Sequence, residues 1–154
     1  MDLAEQSVAA EFAVVEEVVR THTSDFAIHG FTLMNVTEGG TRPFIRSLTF
    51  HFSHPLPRLL LDVSFFVGRS GARRGFTAMI SKPGDGRLDV EDYLKLHGRS
   101  DVSASLTLDG PPTDLRSFAE SAIQTLLALL DNELRPIVEG KTFEETPIDW
   151  QGYK

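Results

Sequence analysis

The sequence predicts an α+β fold: an antiparallel meander of four to five strands, with an N-terminal helix and a long C-terminal helix packed on one face. Three observations predict it. Residues 3–20 and 115–134 place apolar side chains at helical spacing. Between residues 44 and 81, large apolar residues alternate with polar ones in successive runs divided by glycine or proline. Each run has a single apolar face, so the sheet needs a cover, and the two amphipathic helices are the cover available.

The first helix is expected over Leu3–Arg20, with Val8, Phe12, Val15 and Val19 as its buried stripe. Thr21–Asp25 should end it, because these side chains bond their own backbone. Phe31–Val36 reads as a short strand, and Glu38-Gly39-Gly40 as the turn after it. Phe44–Phe52 is the next strand, with Leu48, Phe50 and Phe52 on one face and Ser47, Thr49 and His51 on the other. Pro55 and Pro57, which lack N–H donors, should break pairing. Leu59–Val67 sends Leu59, Leu61, Val63, Phe65 and Val67 inward and turns Asp62 and Ser64 away. Gly68–Gly75 is expected as a loop, Phe76–Ser81 as a strand and Lys82–Arg87 as a turn.

Asp89 has the position of a helix cap ahead of Val90, Tyr93 and Leu94, with Gly98 as the stop. The alternation in Val102–Leu108 predicts a further strand. Pro111-Pro112-Thr113 should open the long helix, with Thr113 as cap and Leu115, Phe118, Ala122, Leu126, Leu130 and Leu134 as its stripe. Pro136 should kink or end it, Gly140 should stop the remnant, and Thr142–Glu145 has capping-box spacing. The tail IDWQGYK holds Trp150 and Tyr153, which either dock on their own domain or anchor a partner.

A chain of 154 residues, 41 % hydrophobic and 24 % charged, suits one domain spanning residues 1–154. Cysteine is absent, which excludes disulfides, thiolate nucleophiles and cysteine metal sites. The N-terminus has no basic start followed by an apolar run, and no stretch approaches the length that crosses a bilayer. A cytoplasmic protein without a membrane partner is therefore expected. A net charge of −7 argues against nucleic acid as a partner.

That charge is unevenly placed. Residues 39–81 hold six arginines, no lysine and one acid, Asp62, so the remaining residues are strongly acidic. The acids nominated for a protein partner are Glu5, Glu11, Glu16 and Glu17 on the first helix, with Asp89, Glu91 and Asp92 as a second patch. The loop around residues 68–75 suggests the alternative, an anion held by Arg69, Arg73 and Arg74 with His51. It lacks the order of a P-loop and opens no helix.

Other motifs are incomplete. Gly68-Arg69-Ser70-Gly71-Ala72 misses the second glycine of a nucleophile elbow, and a strand follows it where a helix is needed. His51 and His54 are three apart, so on a strand they face opposite sides and do not share a metal. Adjacent acids such as Glu16-Glu17, Glu91-Asp92 and Glu144-Glu145 diverge by about 100° on a helix. Asn35-Val36-Thr37 fits a glycosylation sequon that is frequent by chance. No catalytic, metal or cofactor motif is complete, so no catalytic residue, metal or cofactor is expected.

In element order the chain resembles small bacterial α+β proteins of the DUF4304 and polymorphic-toxin immunity type. The matching positions are Phe26–Phe31, Phe50–Phe52, Phe65–Phe66 and Leu134-Arg135-Pro136-Ile137. The resemblance implies a stand-alone acidic binding protein that neutralises a toxin by occupying its surface. The leading expectation is accordingly a non-enzymatic immunity or inhibitor protein with a basic protein partner. The alternatives are a binder or enzyme for an anionic small molecule, using the arginine-rich loop, and a homodimeric export chaperone. Oligomeric state is not legible.

Overall fold

The computed structural model describes residues 3–40, 45–68, 73–109 and 114–141. The elements run α1 (Leu3–Thr21), α2 (Thr23–Ile28), β1 (Thr32–Gly39), β2 (Ile45–Pro55), β3 (Arg58–Gly68), β4 (Arg73–Lys82), β5 (Gly86–Asp89), α3 (Val90–Leu96), α4 (Ser100–Ala104), β6 (Thr107–Asp109), α5 (Leu115–Asp131) and α6 (Arg135–Val138). The strands form one antiparallel sheet in the order β1-β2-β3-β4-β5, and β6 also pairs with β4. The architecture is the expected α+β meander with a helix at each end.

The covered face follows from the alternation. Leu48, Phe50 and Phe52 of β2 lie opposite Phe65, Val63 and Leu61 of β3, which in turn face Phe76, Ala78 and Ile80 of β4. All are buried. Aromatic contacts tie three helices to this one face. Phe12 of α1 meets Phe65 edge-on at 6.1 Å, Phe26 of α2 stacks on Phe52 at 4.4 Å, and Phe118 of α5 lies 5.9 Å from Phe76. Asp114 caps α5: the Ser117 hydroxyl and N–H both donate to it and hold its carboxyl below the usual carboxylate range.

The structure departs from expectation at several joints. Thr21 and Thr23 do bond back to the carbonyls of Val18 and Arg20, at 2.6 and 3.0 Å, but a new helix, α2, starts at once. β1 begins after Phe31 and runs through Glu38 and Gly39, where a turn was expected. Pro55 does not break the β2–β3 pairing. It is the last residue of β2, opposite Arg58, and Leu56 and Pro57 make the two-residue turn. Gly86–Asp89 is a strand, not only a turn.

The largest correction concerns Val102–Leu108. Ser100–Ala104 is helical and only Thr107–Asp109 is strand. The alternating residues there are small, and the Ser105 hydroxyl and N–H both return to the Val102 carbonyl, at 2.6 and 3.1 Å. Those local bonds compete with a ladder. The long helix is capped by Asp114, not Thr113, and it ends at Asp131, leaving Leu134 in the following turn and Pro136 inside α6. Thr113, the Thr142–Glu145 turn and the IDWQGYK tail lie outside the described residues.

Gly30 shows a sequence requirement that composition alone hides. Its φ is +86°, and a Cβ there would meet the His54 ring at 2.6 Å. His54 itself is buried, donates from Nδ1 to the Pro57 carbonyl at 2.8 Å, and packs its ring on Phe31.

His22 clamps the α1–α2 joint to α5. Its Nδ1 lies 2.8 Å from Asp25 Oδ2 and its Nε2 lies 2.6 Å from Glu120 Oε2. Burial alone would push this imidazole down, but the hydrogen bonds and charges of Glu120 and Asp25 outweigh it and raise the pKa above 6.5. A raised pKa binds the proton more tightly in the folded state. The clamp therefore contributes fully below pH 6.5 and is lost as pH rises through the folded-state value. The stability gap between the native chain and His22→Gln should be widest at mildly acidic pH and narrow on the alkaline side. Melting temperatures of both proteins across pH 5–9 check this, and a gap that widens with pH would count against it.

Candidate functional site

Among the described residues, no helix covers the opposite face of the sheet. Thr37, Thr49, Ser64 and Thr77 line up across β1 to β4 in register, and Asn35, His51, Asp62 and Met79 make the adjoining row. Thr49 and Ser64 share a hydroxyl hydrogen bond of 2.7 Å. Phe66, half-buried, and Leu60, exposed, extend the face with apolar surface.

A polar chain crosses three strands here. Asp62 Oδ1 accepts from His51 Nδ1 at 2.8 Å, and His51 Nε2 lies 2.8 Å from Thr37 Oγ1. A carboxylate only accepts, so it places the proton of neutral His51 on Nδ1. Nε2 then carries the lone pair and accepts from the Thr37 hydroxyl. The His51 and Asp62 side chains are 33 % and 37 % exposed, so the chain is open to solvent.

The nominated acids are mostly engaged by the protein itself. Glu11 is not a surface group: it faces inward and binds Arg74, the pair being 14 % and 8 % exposed. Arg74 Nη2 donates to Glu11 Oε2 at 3.0 Å and Nε donates to Oε1. Glu17 pairs with Arg116 of α5 at 3.1 Å, Glu91 with Lys95 at 3.2 Å, and Glu16 more loosely with Arg20 at 3.7 Å. Asp89 caps α3 as expected, accepting from the Asp92 N–H at 3.1 Å. Burial raises its carboxyl pKa, with the charges of Asp92 and Glu91 adding to it and backbone N–H bonds opposing. Asp92 is half-buried in the first turn of α3. The side chain of Glu5, on α1, lies outside the described residues.

Among the described residues, the alternative anion site's members do not come together. Arg69 lies outside the described residues. Arg73 and Arg74 are neighbours on β4 and so face opposite sides of the sheet, Arg74 inward to Glu11. His51 is in line with Met79, about 20 Å along β4 from Arg73 at the strand rise. The expectation that anionic chemistry gathers His51 with these arginines is therefore corrected by strand register. His51 instead belongs with Thr37 and Asp62, two residues that sequence reading left out of any site.

Among the described residues the space between the layers is closely packed. A residual cavity of only about 10 Å³ lies among Phe26, Leu61, Val63, Ala78, Val90, Leu126, Leu130 and Leu134. Two larger hollows among the described residues are open ones on the surface. One of about 520 Å³ lies at the β4–β5 hairpin beside Leu60 and Arg87, and one of about 340 Å³ lies between Ile28, Leu56 and Arg135. Among the described residues no three histidines or acids are grouped to hold a metal ion, and no helix is long and apolar enough to cross a membrane. No protein-family model matches the chain, and no curated protein or solved structure does so either.

Proposed function

We propose that the chain is a protein-binding domain of the inhibitor or immunity kind, and that it receives its partner on the uncovered face of the sheet. One observation carries this reading. Among the described residues, the aromatic contacts between helix and sheet lie on a single, closely packed face, while no helix covers the opposite face across four strands. A ligand between the layers would have to displace packed core. The open face offers hydroxyl groups that adapt their hydrogen bonds, beside apolar Phe66, Leu60 and Met79.

Size bears on the reading. Four strands at about 4.8 Å spacing, with eight residues at about 3.3 Å rise, make a face of about 500 Å². A standard interface covers about 800 Å² on each partner. The partner would therefore also cover the sheet edge along β1, where Met34 and Glu38 are exposed. A net charge of −7 favours a basic partner and an encounter rate that falls with salt.

A photo-crosslinking residue at Thr77, on the open face, tests this against one at Ala13, on the exposed side of α1. The expected result in the native cell is one protein adduct of defined mass from Thr77 and none from Ala13. Adducts from Ala13 alone would move the binding surface to the helices and overturn the reading.

A further inference from the structure

Thr37, His51 and Asp62 stand in the order hydroxyl, base and orienting carboxylate, each pair within 2.8 Å. We propose that Thr37 is an acyl-acceptor site, a threonine that takes an acyl group from an activated acyl ester with His51 as general base. This goes beyond the binding function and does not depend on it.

The chemistry follows from the hydrogen bonds. Thr37 Oγ1 attacks the ester carbonyl carbon, and its proton passes to His51 Nε2. The other ring proton stays on His51 Nδ1, donated to the Asp62 carboxylate, which stabilises the imidazolium that forms. The carbonyl–oxygen bond to the leaving alcohol breaks, the alcohol departs as its anion, and His51 returns its proton to solvent. The product is a threonyl ester, with no change of oxidation state. Base and nucleophile already lie within the 2.6–3.2 Å that proton transfer requires.

Placement separates this group from its neighbours. His51 and Asp62 lie directly opposite each other on β2 and β3, two inner strands of the meander, so the ring is held from a rigid support. Thr37 is on the edge strand and exposed, where a reagent reaches it. Thr49 and Ser64 share the same face and the same solvent but bond each other, with no base. His22 has a carboxylate on each ring nitrogen and no hydroxyl to activate, and His54 is buried against Phe31. The open face does not enclose the ester, so one acylation per chain is expected instead of fast turnover.

The test uses the whole protein and p-nitrophenyl acetate, following p-nitrophenolate release and mapping acetyl groups by peptide mass. One acetyl is expected at Thr37, with Thr49 and Ser64 unlabelled. His51→Asn should slow labelling of Thr37 by about 10²-fold, the usual contribution of a general base. Asp62→Asn should slow it as well, without moving the melting temperature, which marks Asp62 as a positioning residue. Thr37→Val should remove the label and Thr37→Ser should keep it at that position, so loss of label is separable from loss of fold. Acetyl groups confined to amines, or labelling of Thr37 at the same rate in His51→Asn, would overturn the proposal.

Discussion

Glu11→Ala is expected to cost the fold about 3 kcal/mol, a loss of about 10 °C in melting temperature for a chain of this size. The cause is the state of Arg74. It is on the covered face of β4, 8 % exposed, and its guanidinium meets the Glu11 carboxylate through two parallel donors. Removing the carboxylate takes from a positive charge in the protein interior the group that its Nε and Nη2 donate to. The substitution also detaches α1 from β4 at that point. Removing both charges together should cost much less, because the burden of burying ions disappears with them. Glu11→Leu combined with Arg74→Leu should therefore be closer to native stability than Glu11→Ala alone. Urea melts of the three proteins decide it. If the single and double variants fall equally, packing and not charge is what the pair supplies.

Neither member of that pair was legible as a partner of the other. Glu11 looked like one of several acids on the solvent side of α1, and Arg74 like part of a glycine-rich loop. The phase of β4 did contain the answer for Arg74: Phe76, Ala78 and Ile80 face the helices, and Arg74 continues their alternation. What alternation lacks is a reason to place a charge among them. That reason is another charge 63 residues earlier, brought there by the tertiary fold.

The same division runs through the rest of the molecule. The phases of β2 and β3 were legible because large apolar and polar residues alternate without a break. The stripes of α1 and α5 were legible for the same reason at helical spacing. Asp89 was legible as a cap because its role depends only on the next three residues. β5 and α2 were not, since each has a single buried residue, Leu88 and Phe26 respectively, and one residue has no period. The Thr37–His51–Asp62 chain needed register. With Leu56 and Pro57 placed as a two-residue turn, Pro55 opposes Arg58 and His51 necessarily opposes Asp62. Reading the two prolines as a break in pairing hid that contact.

Phe26→Ala should be the most damaging single change in the helical layer, at about 4 kcal/mol. α2 has six residues, too few to be stable as an isolated helix. Its one buried side chain is Phe26, fully excluded from solvent and stacked on Phe52 at 4.4 Å. Truncation removes that ring contact and opens a void that joins the small cavity beside Leu61, Val63 and Leu126. Little can collapse into it, because the sheet on one side and α5 on the other are already packed. The loss should also reach His22, one residue before α2, whose bonds to Asp25 and Glu120 depend on where that short helix sits. Phe26→Leu, which keeps most of the volume, should cost markedly less than the alanine variant. Denaturant melts give the stabilities, and amide exchange of residues 23–28 gives the local effect. Stability lost without faster exchange in α2 would show that Phe26 supports the sheet and not its own helix. A loss below about 1 kcal/mol would mean that α2 is a passive connection, and that α1 and α5 alone hold the cover in place.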